Sequence, residues 1–187
     1  MRNIRALLFD LDGTLADTAE ANYLAYAAAL AEASVMVDRE SFIRAAHGRN
    51  WREFLPGMLA DRSSTADPAQ IAARKRELYP EHIRALRLND GLLSLAYSAR
   101  PAKVTGLVTT ASRTSVEAIF DHHKLAPLFD VVITGDEVEQ HKPHPAAYQL
   151  ALERLGVDPA EALTFEDSDI GEQSARAAGI AVVRVTL

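Results

Sequence analysis

The sequence predicts an α/β fold, in which a parallel sheet covered by helices is interrupted once by a helical insertion. From residue 103 onward, short apolar runs typical of buried strands alternate with helical stretches. Between about residues 18 and 88, strand-like runs vanish and the helix-forming residues Ala, Glu, Arg and Leu dominate. This stretch of roughly 70 residues is much longer than the usual crossover between parallel strands, which indicates an insertion.

Five runs are predicted to form the strands of the sheet. The first, ALLF at residues 6–9, is a continuous apolar stretch followed by charged residues and a glycine. The other four lie at residues 103–109, 131–134, 163–165 and 181–185. Because helical segments separate these runs, the strands are expected to be parallel.

Capping signals predict where several helices begin. TSVE at residues 114–117 is typical of a capping box, and Pro145 and Pro159 are predicted at first helical positions. Within the insertion, residues 17–20 are expected to cap the first helix, and Asp67, followed by proline, is expected to begin another.

Composition excludes several classes of protein. Of the 187 residues, 48% are hydrophobic and 25% are charged, which is typical of a globular chain and not of a disordered one. The net charge of −6 provides no basic field for binding nucleic acid. The absence of cysteine excludes disulfides, thiolate zinc sites and cysteine nucleophiles. No apolar segment has the length of a signal peptide or membrane span, so we expect no membrane partner and a cytoplasmic location.

Carboxylates follow the first and fourth predicted strands. Asp10 and Asp12 are two residues apart, so in an extended segment they point to the same side before Gly13 lets the chain turn. Glu166 and Asp167 follow the fourth strand. Ligands of open parallel sheets bind beyond the carboxyl ends of the strands, and carboxylate oxygens suit a hard cation such as Mg²⁺.

A hydroxyl group and an amine follow the second and third predicted strands. Thr110 and Ala111 come just before a predicted helix, where hydroxyl and backbone N–H groups suit a phosphate oxygen. Lys142 follows the third strand. Taken singly, these signals are equally typical of helix capping and of a solvated turn. Their positions at successive strand ends on one sheet edge favour a common site.

The four motifs together resemble those of the haloacid dehalogenase superfamily of phosphohydrolases, in the subgroup with a helical cap inserted after the first strand. In the family's order, they are DLDGTL at residues 10–15, Thr110, Lys142-Pro143, and Glu166-Asp167-Ser168 followed by Gly171. The resemblance implies a Rossmann-like, three-layer core with sheet order 5-4-1-2-3. Together with the helical segment, it divides the chain into a core of residues 1–16 and 89–187 and a cap of residues 17–88.

The resemblance also implies a catalytic mechanism. Asp10 would attack phosphorus to form an aspartyl-phosphate that water then hydrolyses, and Asp12 would serve first as general acid and then as general base. The implied cofactor is Mg²⁺, held by Asp10, the Asp12 carbonyl, Asp167 and, directly or through water, Glu166. The implied phosphate-binding residues are Asp10, Thr110, Ala111 and Lys142.

The substrate class that the resemblance implies is a small phosphorylated metabolite, selected by the cap. Sugar phosphates, phosphoglycolate and nucleotide monophosphates all remain open. The segment at residues 47–52 resembles the cap loop that faces the active site in relatives. The candidate substrate contacts are Asn22, Arg49, Asn50, Arg52 and Arg113.

Three functions other than a phosphatase share features with this sequence. A β-phosphoglucomutase-like phosphotransferase shares all four motifs, but Trp51 and Asn22 stand at the places of its cap arginine and histidine. A phosphoaccepting signalling domain carries its nucleophile on the third strand, whereas here Asp10 follows the first. A non-catalytic binding module is the third alternative, since fold does not fix function. The sheet edge formed by the last predicted strand is compatible with a monomer or a homodimer.

Overall fold

The structure, a computed structural model, describes residues 3–125 and 128–187, so Met1, Arg2, Ala126 and Pro127 of the predicted core lie outside the described residues. The strands are β1 (Ala6–Phe9), β2 (Ala16–Asp17), β3 (Arg87–Leu88), β4 (Val104–Val108), β5 (Val131–Ile133), β6 (Ala162–Glu166) and β7 (Ala181–Arg184). The α-helices are α1 (Ala19–Glu32), α2 (Arg39–Ala46), α3 (Trp51–Ala60), α4 (Pro68–His82), α5 (Asp90–Ala99), α6 (Arg113–His123), α7 (Ala146–Leu155) and α8 (Asp169–Ala177). Short 3₁₀ helices occupy Ile83–Ala85 and Pro159–Glu161.

Five strands form a parallel sheet in the order β5-β4-β1-β6-β7. Counted among themselves and from the opposite edge, they have the predicted order 5-4-1-2-3. The prediction differs in one detail, because it did not include β2 and β3. These strands pair antiparallel as a separate ribbon, with Ala16 opposite Leu88, where the chain enters and leaves the helical insertion.

Helices cover both faces of the sheet, which explains why β1 is apolar throughout. Leu7 and Phe9 point into one core, shared with α5 and α6, while Ala6 and Leu8 point into a second core, shared with α7 and α8. The alternation follows from the period of two along a strand. The predicted three-layer α/β architecture is confirmed.

Helices α1 to α4, here called the helical region (residues 19–82), have a hydrophobic core of their own. Tyr26, Phe42 and Phe54 form its centre, with ring centroids 5.3–5.8 Å apart. Tilted and edge-on contacts of this kind stabilise aromatic clusters beyond the effect of burial alone. The predicted helical insertion is therefore present with a core of its own, while Ala21 and Ala25 of α1 and Tyr79 of α4 pack into the core that the sheet shares with α5 and α6.

Two helix starts differ from the prediction. The capping box at residues 114–117 was wrong, because α6 begins at Arg113 and Ser112 caps it by accepting a hydrogen bond from Ser115 N at 3.3 Å. Pro145 occupies the N-cap position of α7, one residue before the predicted place. Asp67 caps α4 as predicted, with its carboxylate accepting from Ala69 N.

Pro159 is the first residue of a 3₁₀ helix, as its sequence position predicted. Thr18 is the N-cap of α1, but its hydroxyl makes no capping hydrogen bond and donates to Asp12 instead. The Thr18 side chain, which was predicted to cap α1, therefore joins the start of this helix to the loop after β1.

Candidate active site

Three carboxylates meet at the carboxyl ends of β1 and β6. The two strands are neighbours in register, with Phe9 opposite Phe165, so Asp10 and Glu166 come next to each other. Asp10, Glu166 and Asp167 each offer an oxygen, and these oxygens lie within 4.8 Å of one another. A compact set of hard oxygen donors fits a divalent cation such as Mg²⁺.

Lys142 reaches the same cluster from the loop after β5. Its ammonium, 2% exposed, donates to Asp10 Oδ1 at 2.7 Å, to Glu166 Oε1 at 2.6 Å and to the Val108 carbonyl at 3.0 Å. Burial alone would lower the pKa of Lys142, but the adjacent carboxylates of Asp10 and Glu166 outweigh it and raise the pKa well above its usual value. The lysine is therefore a permanent cation beside Asp10.

The cluster contains more carboxylates than ammonium groups, and the pKa values of Asp10 and Asp167 are raised. Burial raises the pKa of Asp10 well above its usual value, and Glu166, Asp12 and Asp167 add to the effect while Lys142 opposes it. Burial, with smaller effects from the neighbouring acids, raises the pKa of Asp167 to about 6. A divalent cation bound here would favour the ionised carboxylates and so lower the pKa values of Asp10 and Asp167.

Glu166 is held by a set of buried groups that the sequence did not predict. The Tyr148 hydroxyl donates to Glu166 Oε1 at 2.6 Å, and the Thr164 hydroxyl lies 3.3 Å from the Tyr148 oxygen. Gly171 lies directly against the carboxylate, where a Cβ atom would approach Glu166 Oε2 to 2.0 Å. Tyr148 is on α7 at a spacing typical of ordinary core residues, so no sequence signal distinguished it.

Asp12 is held between the core and the helical region. Its Oδ1 atom accepts from the Thr18 hydroxyl and from Asn22 Nδ2 at 3.1 Å, both on the segment that begins α1. Its Oδ2 atom accepts from the Thr109 hydroxyl at 3.2 Å. These contacts fix the Asp12 carboxylate, and Asn22, predicted as a substrate contact, both lines the cavity and binds Asp12.

The loop after β4 presents Thr110 and Ala111 to the same cavity. The Thr110 carbonyl accepts from Asn50 Nδ2 at 3.1 Å, and the Ala111 N–H donates to the Thr109 hydroxyl at 3.0 Å. The Ala111 carbonyl in turn accepts from Gly135 N at 2.8 Å. The loop is thus fixed on three sides, and Thr109 joins it to Asp12.

The other predicted substrate contacts are placed differently. Arg49 lines the cavity, with its guanidinium donating to the Ala45 carbonyl at 3.1 Å. Arg52 does not line it and stacks instead on the Trp51 ring, 4.5 Å from its centroid. Arg113 is also outside the cavity lining.

Two hydrogen bonds hold the Arg113 guanidinium outside the cavity lining. Its guanidinium donates to the Val132 carbonyl at 3.2 Å and to Glu137 at 2.6 Å. Asn50 is likewise absent from the cavity lining, because both polar atoms of its amide bind protein groups.

Lys75 of α4 lines the cavity and was not predicted. Its side chain is 7% exposed, with Nζ 3.8 Å from the Tyr79 ring centroid and 5.3 Å from that of Tyr26. In the part of the chain that the structure describes, no acidic group forms an ion pair with it. Burial lowers the pKa of Lys75 to about 7. Its sequence neighbourhood is that of an ordinary basic helix, so only the fold brings it into the same cavity as Asp10.

Comparison with known proteins agrees with this geometry. The family model described as haloacid dehalogenase-like hydrolase matches residues 7–185. The chain belongs to this family. As a haloacid dehalogenase-like hydrolase, it is a phosphoric monoester hydrolase and neither a signalling receiver nor a non-catalytic module.

Several relatives match almost the whole chain. Fructose-1-phosphate phosphatase YqaB of Escherichia coli K12 is 32% identical over 97% of this chain and 96% of its own length. Protein CbbY of Rhodobacter capsulatus is 36% identical over 96% of this chain and 84% of its own length. The crystal structure of CbbY from Rhodobacter sphaeroides in complex with phosphate superposes with a TM-score of 0.90 at 30% identity, covering 98% of this chain and 87% of that one.

The fold is also shared with β-phosphoglucomutase from Clostridium difficile, with a TM-score of 0.85 at 24% identity, covering 98% of this chain and 85% of that one. At this identity the likeness concerns the fold alone.

Among the described residues, no helix combines the length and apolarity needed to cross a bilayer.

Proposed function

We propose that this hydrolase releases phosphate from a small phosphorylated metabolite, a sugar phosphate, with Mg²⁺ as cofactor and an aspartyl-phosphate formed on Asp10. The observation that carries the proposal is the convergence of Asp10, Lys142, Glu166 and Asp167 at one sheet edge. Asp10 and Lys142 line a cavity there together with Asp12 and Thr110. Relatives named as phosphatases of fructose 1-phosphate and of phosphorylated carbohydrates support the substrate class.

Asp10 is the proposed nucleophile. Its carboxylate lies beside the Lys142 ammonium, which would offset the negative charge of the nucleophile and of the phosphoryl group as they approach. The P–O bond to the leaving alcohol breaks as the Asp10 O–P bond forms, and water later cleaves that acyl phosphate. Splitting the reaction in this way replaces one difficult displacement by two easier ones.

Asp12 is the proposed proton carrier. Its contacts with Thr18, Asn22 and Thr109 hold its carboxyl group at the cavity, next to Asp10. It would protonate the leaving oxygen in the first step and, once ionised, accept a proton from the attacking water in the second. One carboxyl group thereby performs both proton transfers.

The bound Mg²⁺ would neutralise charge on the phosphoryl oxygens and on the surrounding acids. We propose Asp10, the Asp12 carbonyl and Asp167 as its ligands, with Glu166 acting through water. Glu166 is already engaged by Lys142 and Tyr148, which favours an indirect role. Thr110 and the Ala111 N–H would hold the phosphoryl oxygens.

The helical region, within the proposed cap of residues 17–88, would select the organic part of the metabolite. The cavity wall on this side combines aromatic rings, such as Tyr26 and Trp51, with the ammonium of Lys75. Lys75 would donate hydrogen bonds to oxygens of the substrate that lie away from the reacting phosphorus. Binding remote groups in this way orients the phosphoryl group for attack.

The test is phosphate release from a panel of sugar phosphates, phosphoglycolate and nucleotide monophosphates, with and without Mg²⁺. Asp10→Asn is expected to lose turnover by orders of magnitude while remaining folded. Asp121→Asn, an exposed acid on α6, is the matched control and is expected to keep full activity. An active Asp10→Asn variant would refute the nucleophile, and metal-independent turnover would refute the cofactor.

A β-phosphoglucomutase-like activity is the second candidate. It is separated from hydrolysis by supplying β-glucose 1-phosphate together with a bisphosphate primer. Isomer formation without phosphate release would replace the proposed hydrolase with a mutase.

A further inference from the structure

Asn50 connects the cap to the core with a single side chain. It is the N-cap residue of α3, and its Oδ1 accepts from Arg52 N at 3.1 Å, which satisfies one free N–H of that helix. Its Nδ2 donates across the gap between the two regions to the Thr110 carbonyl at 3.1 Å. The side chain is 4% exposed, so water competes little for either hydrogen bond.

The Thr110 carbonyl, which accepts this hydrogen bond, belongs to a peptide group that is also part of the proposed phosphate site. The Thr110 carbonyl and the Ala111 N–H are the two ends of one planar peptide unit, so fixing the carbonyl also fixes the direction of the N–H. Donation to the carbonyl further polarises the unit and makes its N–H a stronger donor. The Ala111 N–H, which donates to the Thr109 hydroxyl at 3.0 Å, is the group proposed above to hold a phosphoryl oxygen, so a bound phosphoryl oxygen would share this donor with Thr109 or displace it.

Gly135 makes room for this contact from the core side. A Cβ atom there would lie 2.4 Å from the Thr110 carbonyl oxygen and 3.0 Å from Asn50 Nδ2. The loop after β5 is therefore shaped so that the peptide and the amide can meet. The contact can therefore be disturbed at Asn50 or at Gly135 without substituting a residue of the proposed catalytic site.

We infer that Asn50 is a positioning residue, which orients the Thr110–Ala111 peptide for the phosphoryl group and so completes the phosphate site only when the cap lies against the core. The inference rests on the proposed function for the identity of the ligand. The contact by which Asn50 joins the helical region to the loop after β4 is independent of the proposed function. Two measurements address these two parts separately.

The first measurement is amide hydrogen exchange of the ligand-free protein. Asn50→Asp retains a good helix N-cap but replaces the amide donor by a carboxylate facing the Thr110 carbonyl. Exchange is expected to accelerate several-fold in residues 47–52 and also in residues 109–113. Asp38→Ala is the matched control, since it removes the N-cap of α2 without any contact with the core. Unchanged exchange of residues 109–113 in Asn50→Asp would overturn the inference.

The second measurement is calorimetric binding of inorganic phosphate in the presence of Mg²⁺. Asn50→Asp and Gly135→Ala are both expected to weaken phosphate binding roughly tenfold, and Asp38→Ala to change it less than twofold. Wild-type affinity in both Asn50→Asp and Gly135→Ala would overturn the positioning role. A wild-type protein that neither binds phosphate nor hydrolyses any ester contradicts the proposed function instead, and the exchange result still decides whether Asn50 couples the two regions.

Discussion

Lys142 Nζ lies 2.6 Å from Glu166 Oε1, and both side chains are closed off from solvent. The same ammonium is 2.7 Å from Asp10 Oδ1, so one buried cation serves two buried carboxylates. Removing one partner of a buried ion pair is costly, because the remaining charge is neither solvated nor compensated. The stability of the core and the chemistry of the site therefore depend on the same three side chains.

The first prediction concerns Lys142→Met. In metal-free protein, the free energy of unfolding is expected to fall by about 3 kcal/mol, measured by urea denaturation. Turnover is expected to fall by roughly 100-fold or more, since a charge that stabilises the transition state is lost. The exposed Lys124→Met is the control and should change neither quantity. A stable but inactive Lys142→Met variant would show that the ion pair serves catalysis alone.

The second prediction concerns Gly171→Ala. The added methyl group would lie 2.0 Å from Glu166 Oε2, so the carboxylate must move away from Lys142 and Tyr148. We expect a loss of about 2–3 kcal/mol of stability and a roughly 100-fold loss of turnover. Gly57→Ala in α3 meets no atom within 4 Å and is expected to stabilise the protein by about 0.5–1 kcal/mol. Equal effects of the two substitutions would contradict the packing argument.

The third prediction concerns pH and Mg²⁺. In the metal-free fold the pKa of Asp167 is about 6, above its usual 3.8, so the folded protein holds more protons than the unfolded chain between these values. This contribution to stability is present at low pH and is lost as the pH rises through about 6. Mg²⁺ binds the ionised carboxylates, so the increase in melting temperature that it causes should grow between pH 5 and pH 7. Thermal melts with and without Mg²⁺ measure this increase.

Asp167→Asn removes one of the titrating ligands and serves as the control for this experiment. Its melting temperature should respond weakly to Mg²⁺ at every pH. If the Mg²⁺ effect on the wild type were the same at pH 5 and pH 7, the cluster could not be the site of competition between protons and metal.

The fourth prediction concerns Lys75→Met. The pKa of Lys75 in the folded protein is about 7, below its usual 10.5, so between these values the unfolded chain binds more protons. Stability from this group therefore rises as the pH increases above 7. Between pH 7 and pH 9, the wild type should gain about 2 kcal/mol of unfolding free energy relative to Lys75→Met. Urea denaturation at both pH values measures the difference, and a Lys124→Met control should follow the wild type.

Much of the core could be predicted, because its signals repeat along the chain. Asp10, Lys142 and Asp167 each follow an apolar run, and parallel strands bring such positions to one edge. The groups that hold these side chains carried no comparable signal. Tyr148 reaches Glu166 only because α7 packs across the sheet, a relationship that its spacing within the helix does not reveal.

The predicted substrate contacts show the limit of local inference more clearly. Arg113 comes directly after the loop that follows β4, yet its guanidinium binds Glu137. The contacts of Asn50 and Lys75 depend on how the helical region packs against the core. The sequence around each residue does not indicate this packing. Asn50 was predicted from its position in a loop that resembles those of relatives, and the structure shows that its amide also binds two protein groups, which the sequence did not indicate.

The β2–β3 ribbon places the two ends of the insertion side by side, with Ala16 opposite Leu88. A segment anchored at adjacent points can lengthen, shorten or be exchanged while the path of the surrounding chain stays the same. The helical segment can therefore change in length without breaking the parallel sheet. The hydrogen bonds of Thr18 and Asn22 to Asp12 and of Asn50 to the Thr110 carbonyl limit which of its residues can be exchanged.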